Sequence, residues 1–291
     1  MATKRRLIAC LMLRHGIVVQ SIGFNRYLPV GRADIAARFL DDWGVDEIAL
    51  IDMTASIEDR LIDLDIVRDV AAACQVPLTV GGGIKTVEDV RNLIRAGADK
   101  VSLNRSAWQT PELLGEAAEQ FGVQCLVASI DVKRNADGEP TVFAENGRTD
   151  TGHDPVTFAQ ACEHAGAGEI LLNAIDRDGA RTGYDLELVN RVCAAVRIPV
   201  IALGGAGTPD HFAELLTQTG ASAAAAANML HYTEHSVAAI KSALRQRDLD
   251  IRLDSEADYR HLSFLPEGRI GRRPESELAA EIFEYIPKEI I

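Results

Sequence analysis

The 291-residue sequence contains no run of about eighteen apolar residues, which excludes an ordinary membrane-spanning helix. Its start, MATKRRLIAC, is too short and too polar at its flanks for a secretory signal. The five cysteines (Cys10, Cys74, Cys125, Cys162, Cys193) form no CxxC pair, so they read as reduced core thiols of a cytoplasmic protein. No His/Cys/Asp cluster has metal-ligand spacing, and no cofactor motif is present. Basic charge is also scarce. A net charge of −13 argues against nucleic-acid or anionic-membrane partners, since both need a basic surface. Aromatics supply only 5% of residues, while 47% are hydrophobic, chiefly small and branched, a composition suited to parallel strands covered by helices.

What is present is a repeat. Short apolar runs, RLIACLML (6–13), EIALID (47–52), PLTVG (77–81), KVSLN (100–104), CLVASID (125–131), EILLNA (169–174), PVIALG (199–204) and ASAAAAAN (221–228), alternate with amphipathic segments such as 65–76, 86–97 and 209–220. Eight strands with intervening helices predict an α/β fold, a single (β/α)8 TIM barrel. An open doubly wound sheet is the alternative, but it does not need eight equivalent units. GVDEIALID (44–52) answers to GAGEILLNA (166–174), and VPLTVGGGIKT (76–86) to IPVIALGGAGT (198–208). GADKVSLN (97–104) answers to GASAAAAAN (220–228), which is one alanine longer. The barrel, residues 1–253, is therefore two half-barrels. The turn-rich remainder, 254–291, reads as an extension with one amphipathic helix at 274–286, marked by Leu278, Ile282 and Ile286.

In such a barrel the chemistry sits at the C-terminal ends of the strands. The turns carrying Gly82 and Gly83, and Gly204, Gly205 and Gly207, precede helices, so their N–H groups suit phosphate; glycine also serves a tight turn without any ligand. Asn104 and Asn228 end the strands beside these two turns. A pair of anion sites suits a phosphorylated, sugar-type molecule with a phosphate at each end. Asp131 closes the fifth strand and is the leading candidate for proton transfer. Asp176, Asp178 and Gly179 follow the sixth strand. Asp52 ends the second, either as a substrate-facing carboxylate or as an acceptor that orients loop residues. At the opposite face Arg6, Glu47, Lys100 and Glu169 begin four strands with alternating sign. Pointing inward, they would form a salt-bridged ring across the floor; otherwise they simply solvate strand starts.

The stretches CLMLRHGIVV, DEIALIDMTAS, PLTVGGGIKTVEDVRNLIRAGADKVSLNRSA, ILLNAIDRDGARTGYDLEL and PVIALGGAGTPDHFAE together resemble the cyclase subunit of imidazole glycerol phosphate synthase, over nearly all of residues 4–253. The resemblance implies a barrel paired with a glutaminase subunit. Ammonia released there enters past a gate that would be Arg6, Glu47, Lys100 and Glu169, along a path matched by Thr79 and Ser102, with Asp99 at the partner interface. It also implies two aspartates, one per half-barrel. The second matches Asp131, but the first falls on Met12, and a thioether cannot exchange a catalytic proton. Gln20 stands at a loop-lysine position, and Leu203 and Asn228 stand where the second phosphate site offers serine hydroxyls. This pattern resembles a paralogous branch associated with surface-polysaccharide and nonulosonic-acid genes, in which the barrel and glutaminase would feed ammonia to a sugar-modifying amidotransferase. The alternatives are a genuine histidine-pathway cyclase, which turns the phosphoribulosyl-formimino aminoimidazole carboxamide ribotide and ammonia into imidazole glycerol phosphate, a scaffold without turnover, and a sugar-phosphate isomerase of the same pathway.

Overall fold

The computed structural model describes residues 4–252 and, beyond them, positions 271, 274 and 276. Apart from positions 274 and 276, the helix expected at 274–286 lies outside the described residues, as does the boundary expected after 253. In chain order the strands are β1 (Arg6–Arg14), β2 (Ile17–Ile22), β3 (Arg26–Gly31), β4 (Glu47–Asp52), β5 (Leu78–Gly81), β6 (Lys100–Leu103), β7 (Leu126–Arg134), β8 (Pro140–Ala144), β9 (Thr149–Asp150), β10 (Glu169–Ala174), β11 (Val200–Leu203) and β12 (Ala223–Ala226). The helices are α1 (Ala33–Asp42), α2 (Leu64–Ala73), α3 (Val87–Arg95), α4 (Arg105–Gln109), α5 (Glu112–Phe121), α6 (Pro155–Ala165), α7 (Leu186–Ala195), α8 (Pro209–Gln218) and α9 (Ser236–Arg245).

Parallel pairing runs β10–β11–β12–β1–β4–β5–β6–β7, and β7 pairs back to β10, which closes the barrel. The expected (β/α)8 architecture is therefore the one observed. Helix α3 is started by a capping box between Thr86 and Asp89 and buries a stripe, Val90 and Leu93, whereas α9 is buried nearly all round. The side chains between helices and sheet form the large core, and a second, smaller cluster fills the lumen: Ile8, Cys10, Met12, Ala49, Val127, Leu171, Ile201, Ala223 and Ala225 among others.

Two antiparallel hairpins were not anticipated from the sequence. β1 and β7 are each nine residues long and run past the barrel rim, β1 into β2–β3 and β7 into β8–β9. The position read as a loop lysine site, Gln20, thus lies within β2 opposite Leu28. A signal for the second hairpin was present in Asn146-Gly147 between PTVFA and RTD, since both turn residues adopt positive φ.

Strand alternation brings Arg6, Glu47, Lys100 and Glu169 together across the floor as one closed cycle. Arg6 meets Glu47 at 2.9 Å and Glu169 at 2.6 Å; Lys100 meets Glu47 at 3.0 Å and Glu169 at 2.7 Å. Thr79 Oγ1 adds a bond to Glu47 Oε1 at 2.8 Å. Burial alone would push the Glu169 carboxyl upward, but the Arg6 and Lys100 charges outweigh it and hold the group below its usual range. Beside the ring, Lys241 on α9 pairs with Asp46 at 2.6 Å and ties that helix to the floor.

Removing one cation from this cycle leaves two buried carboxylates sharing Arg6. Lys100→Met is expected to lose about 2–4 kcal/mol of stability near neutral pH, read by urea denaturation. A depressed carboxyl contributes stability above its unfolded pKa and loses it as pH falls through its folded pKa. The difference between wild type and variant should therefore shrink below about pH 4. Equal stability at neutral pH would mean that the ring contributes nothing to the fold.

Candidate functional site

The cavity at the barrel mouth is built from side chains that share the inward face of their strands. Counting in steps of two from the ring leads from Arg6 to Met12, from Lys100 through Ser102 to Asn104, and from Glu169 through Leu171 to Asn173. Met12, Ser102, Asn104, Asp131, Asn173 and Leu203 all line this cavity, together with Asp52, Gly82, Gly83 and Arg105. Met12 and Asp131 therefore face one space, a thioether from the first half-barrel and a carboxyl from the second.

Asp131 is held from both sides: Asn173 Nδ2 donates to Oδ1 at 2.8 Å, and Asn104 Nδ2 to Oδ2 at 3.1 Å. Burial pushes its pKa up to about 6, the two amide donors pull it back in part, and the charge of Asp178 adds to the rise. Such a group exchanges protons near neutral pH, as acid–base chemistry needs. Asn173 was not singled out in the sequence, although stepping by two from Glu169 reaches it.

Asp52 falls on the other face of β4. One of its oxygens accepts from Thr54 N at 2.9 Å, Thr54 Oγ1 at 2.7 Å and Ala55 N at 3.2 Å; the other accepts from Arg60 Nη1 at 2.9 Å. Of its two expected roles, the structure favours the loop-orienting acceptor.

In the second half several expected residues turn elsewhere. Asp176 is exposed and accepts from the Arg134 N–H at 2.8 Å. Asp178 accepts from Ser21 Oγ at 2.7 Å and Phe24 N at 3.2 Å, fastening the β2–β3 hairpin; burial raises its pKa despite those bonds. Neither carboxylate lines the mouth cavity, although the Asp178 charge still acts on Asp131. Gly179 packs under the same hairpin, where a Cβ would meet Ser21 O at 2.9 Å. Asn228 is the clearest departure from expectation. Its amide accepts from Ser21 N at 3.0 Å and donates to Ser21 O, so its side chain is spent on the hairpin. The extra alanine in 220–228 explains this. It shifts the parity by one, and a one-residue shift sends a strand side chain to the opposite face.

The Gly-rich turns are required by close backbone approach. A Cβ on Gly83 would sit 1.8 Å from Arg60 O, and one on Gly205 2.0 Å from Gly183 O; both glycines have positive φ. Gly82 and Gly83 border the mouth cavity, whereas Gly204, Gly205 and Gly207 lie outside it. The Gly207 N–H donates to His211 Nδ1 at 3.1 Å. At the floor Asp99 is exposed, with Oδ2 accepting from Leu78 N at 2.8 Å.

A family model described as histidine biosynthesis protein matches residues 6–236. The imidazole glycerol phosphate synthase subunit HisF of Alkaliphilus metalliredigens (strain QYMF) is 46% identical over 248 residues, covering 85% of this chain and 98% of the relative. The subunit HisF of Bacillus cereus (strain ATCC 10987 / NRS 248) is 43% identical over 249 residues, covering 86% and 99%. That of Clostridium botulinum (strain Langeland / NCTC 10281 / Type F) is 45% identical over 250 residues, with the same coverage.

The elevated Asp131 carboxyl gives a stability prediction. Its folded pKa lies above the ordinary 3.8, so its contribution is fully present below that value and is lost as pH rises through about 6. Asp131→Asn should therefore be more stable than wild type by about 1–3 kcal/mol at about pH 7.5, with the gain vanishing near pH 4. Urea titrations at the two pH values check it; a gain that persists unchanged in acid would contradict the assigned cause.

Proposed function

The chain belongs to the family of histidine biosynthesis proteins that includes the HisF subunits of imidazole glycerol phosphate synthase, and on that premise we propose that it is an ammonia-using synthase subunit served by a glutaminase. The observation that carries this reading is the charged ring beneath an apolar lumen that opens at Asp131. Ile8, Cys10, Val127, Leu171 and Ala225 offer an ion no hydration, while neutral ammonia crosses such a lining at low cost. Cys10 is itself neutral, its thiol pushed up to about 12 by burial first and by the Glu47 charge second. Arg6 and Lys100 add repulsion toward ammonium. Passage requires opening one ion pair of the ring, after which Thr79 and Ser102 provide hydroxyl stations below and at the mouth. Asp99, exposed on the floor beside Lys100, is the residue we assign to contact with the glutaminase.

The acceptor follows from Met12. General acid–base assistance is typically worth about 10²–10⁴-fold, and a thioether supplies none of it. With one lumen carboxyl in place of two, the arrangement favours delivery of ammonia to a sugar-modifying amidotransferase, in surface-glycan amidation, over cyclisation. Histidine-pathway cyclisation stands as the second reading. It is favoured by the Asp131 carboxyl, whose pKa of about 6 lets one group both take and return a proton.

Two measurements decide. A cognate glutaminase should gain activity on adding the barrel, and Lys100→Met should alter the transfer of its ammonia; no gain would remove the glutaminase partnership. Supplied with ammonium salt and the histidine-pathway ribotide, wild type should turn over poorly, and Met12→Asp should raise the rate by about tenfold or more. Fast wild-type turnover that Met12→Asp leaves unchanged would establish the cyclase reading in place of the sugar-amidation one.

A further inference from the structure

The inward stripe of α9 accounts for only part of its burial. Val237, Ile240 and Leu244 share one face and belong to the main core cluster. Ala239 falls on the opposite face, with Ala238 and Ser242 beside it. Yet Ala239 is 6% exposed, Ala238 is 4% exposed, and Ser242 is half-buried. Ala238, Ala239 and Ala243 belong to neither core cluster. Helix α1 shows what an uncovered helix looks like. Opposite its buried Ala33, Ala37 and Leu40, Ile35 and Phe39 are each 51% exposed.

Among the described helices α8 is the main neighbour of α9, and a flanking helix does not cover the side turned away from the sheet. The chain itself supplies a cover. It leaves α9 at the floor, where Ile251 bridges to Arg5. Residues 253–273 extend by up to about 3.3 Å each, which exceeds several times over the roughly 15 Å length of a ten-residue helix. Beyond Arg252, Gly271 is buried and Ser276 is helical, in agreement with the helix expected at 274–286. Leu278, Ile282 and Ile286 form its apolar stripe, and Glu277, Glu281 and Glu284 fall on the other side. The HisF relatives, matched almost end to end by the rest of the chain, have no counterpart of this segment.

We infer that residues 274–286 pack as a helix on the outward face of α9, with Leu278, Ile282 and Ile286 set against Ala238, Ala239 and Ser242. Small residues on one helix let a bulky row on the other approach closely, as ridge-into-groove packing requires. Removing three large aliphatic side chains from water drives the contact, and the glutamates stay solvated. The occupant is a segment of this chain rather than a partner protein, because the face is already covered in the single chain. The consequence reaches the floor. Lys241 on α9 holds one oxygen of Asp46, whose other oxygen accepts from Leu7 N at 2.7 Å, next to Arg6 of the ring. A strap across α9 therefore clamps, from outside, the helix that steadies the first strand of the ring. The inference goes beyond the proposed function and holds whichever molecule accepts ammonia.

Maleimide labelling of the full chain tests it, with peptide mapping to separate each introduced thiol from the five native cysteines. The thiol of Ala239→Cys should react about tenfold or more slowly than that of Gln246→Cys, which lies exposed just past the same helix. Ser242→Cys, a near-isosteric change, should react severalfold more slowly than the same reference. Adding Leu278→Glu and Ile282→Glu should bring labelling at 239 and 242 up to the rate at 246 without altering the circular dichroism. Glu281→Lys, on the other side of the segment, should leave it slow. Labelling at 239 or 242 within about twofold of that at 246, with the segment unaltered, would overturn the inference. So would slow labelling that survives Leu278→Glu with Ile282→Glu, since something else would then cover the face. Protection that is lost on dilution would assign the face to a second copy and overturn it as well. If Ala239→Cys does not fold, Ser242→Cys carries the decision.

Discussion

A parallel strand turns every second side chain to the same side, and closing eight of them into a barrel makes one of those sides a lumen. Nearly everything of interest in this chain follows from that alternation. The same count that sets Arg6, Glu47, Lys100 and Glu169 into a ring sets Met12, Asn104, Asp131 and Asn173 at the other end of the axis. Floor and mouth are therefore one feature seen at two depths. Apolar side chains between them keep water scarce, which strengthens the ring and raises the Asp131 pKa for the same reason.

The two half-barrels share a plan and differ in chemistry. Each begins with a long strand that leaves the barrel to form a hairpin, and each uses the residue just past the lumen face to brace a hairpin. Differences appear around the mouth cavity. The first half has a thioether where the second has a carboxyl. The second half has an extra alanine that turns Asn228 out of the mouth, and it contributes apolar Leu203 to the cavity lining. The mouth cavity accordingly gathers the first Gly-rich turn and leaves the second outside. The mouth cavity thus takes its carboxyl Asp131 from one half and its Gly-rich turn, Gly82 and Gly83, from the other.

How far the sequence reached is best seen in particular residues. The eight barrel strands and their order were legible, because short apolar runs separated by amphipathic segments leave few other packings, and the internal repeat restricts them further. The inward set was legible too once the floor residues were identified, since parity propagates along a strand; Asn173 was available by the same count. Family resemblance directed attention to Met12, whose significance does not lie in local pattern.

Other features depended on contacts between segments far apart in the chain. That Asp52 is saturated by Thr54, Ala55 and Arg60, and that Asp178 and Asn228 serve a hairpin more than one hundred and fifty residues away in sequence, are facts of three-dimensional pairing. So is the burial of Arg105 Nε without a hydrogen-bond partner among the described residues, because an absent partner has no signature in sequence. The sequence by itself determined which side chains face the lumen, because alternation is a property of the strand. Only the tertiary structure decided which polar groups are already paired and with which partners, because hydrogen bonds are made between loops whose meeting no local periodicity encodes.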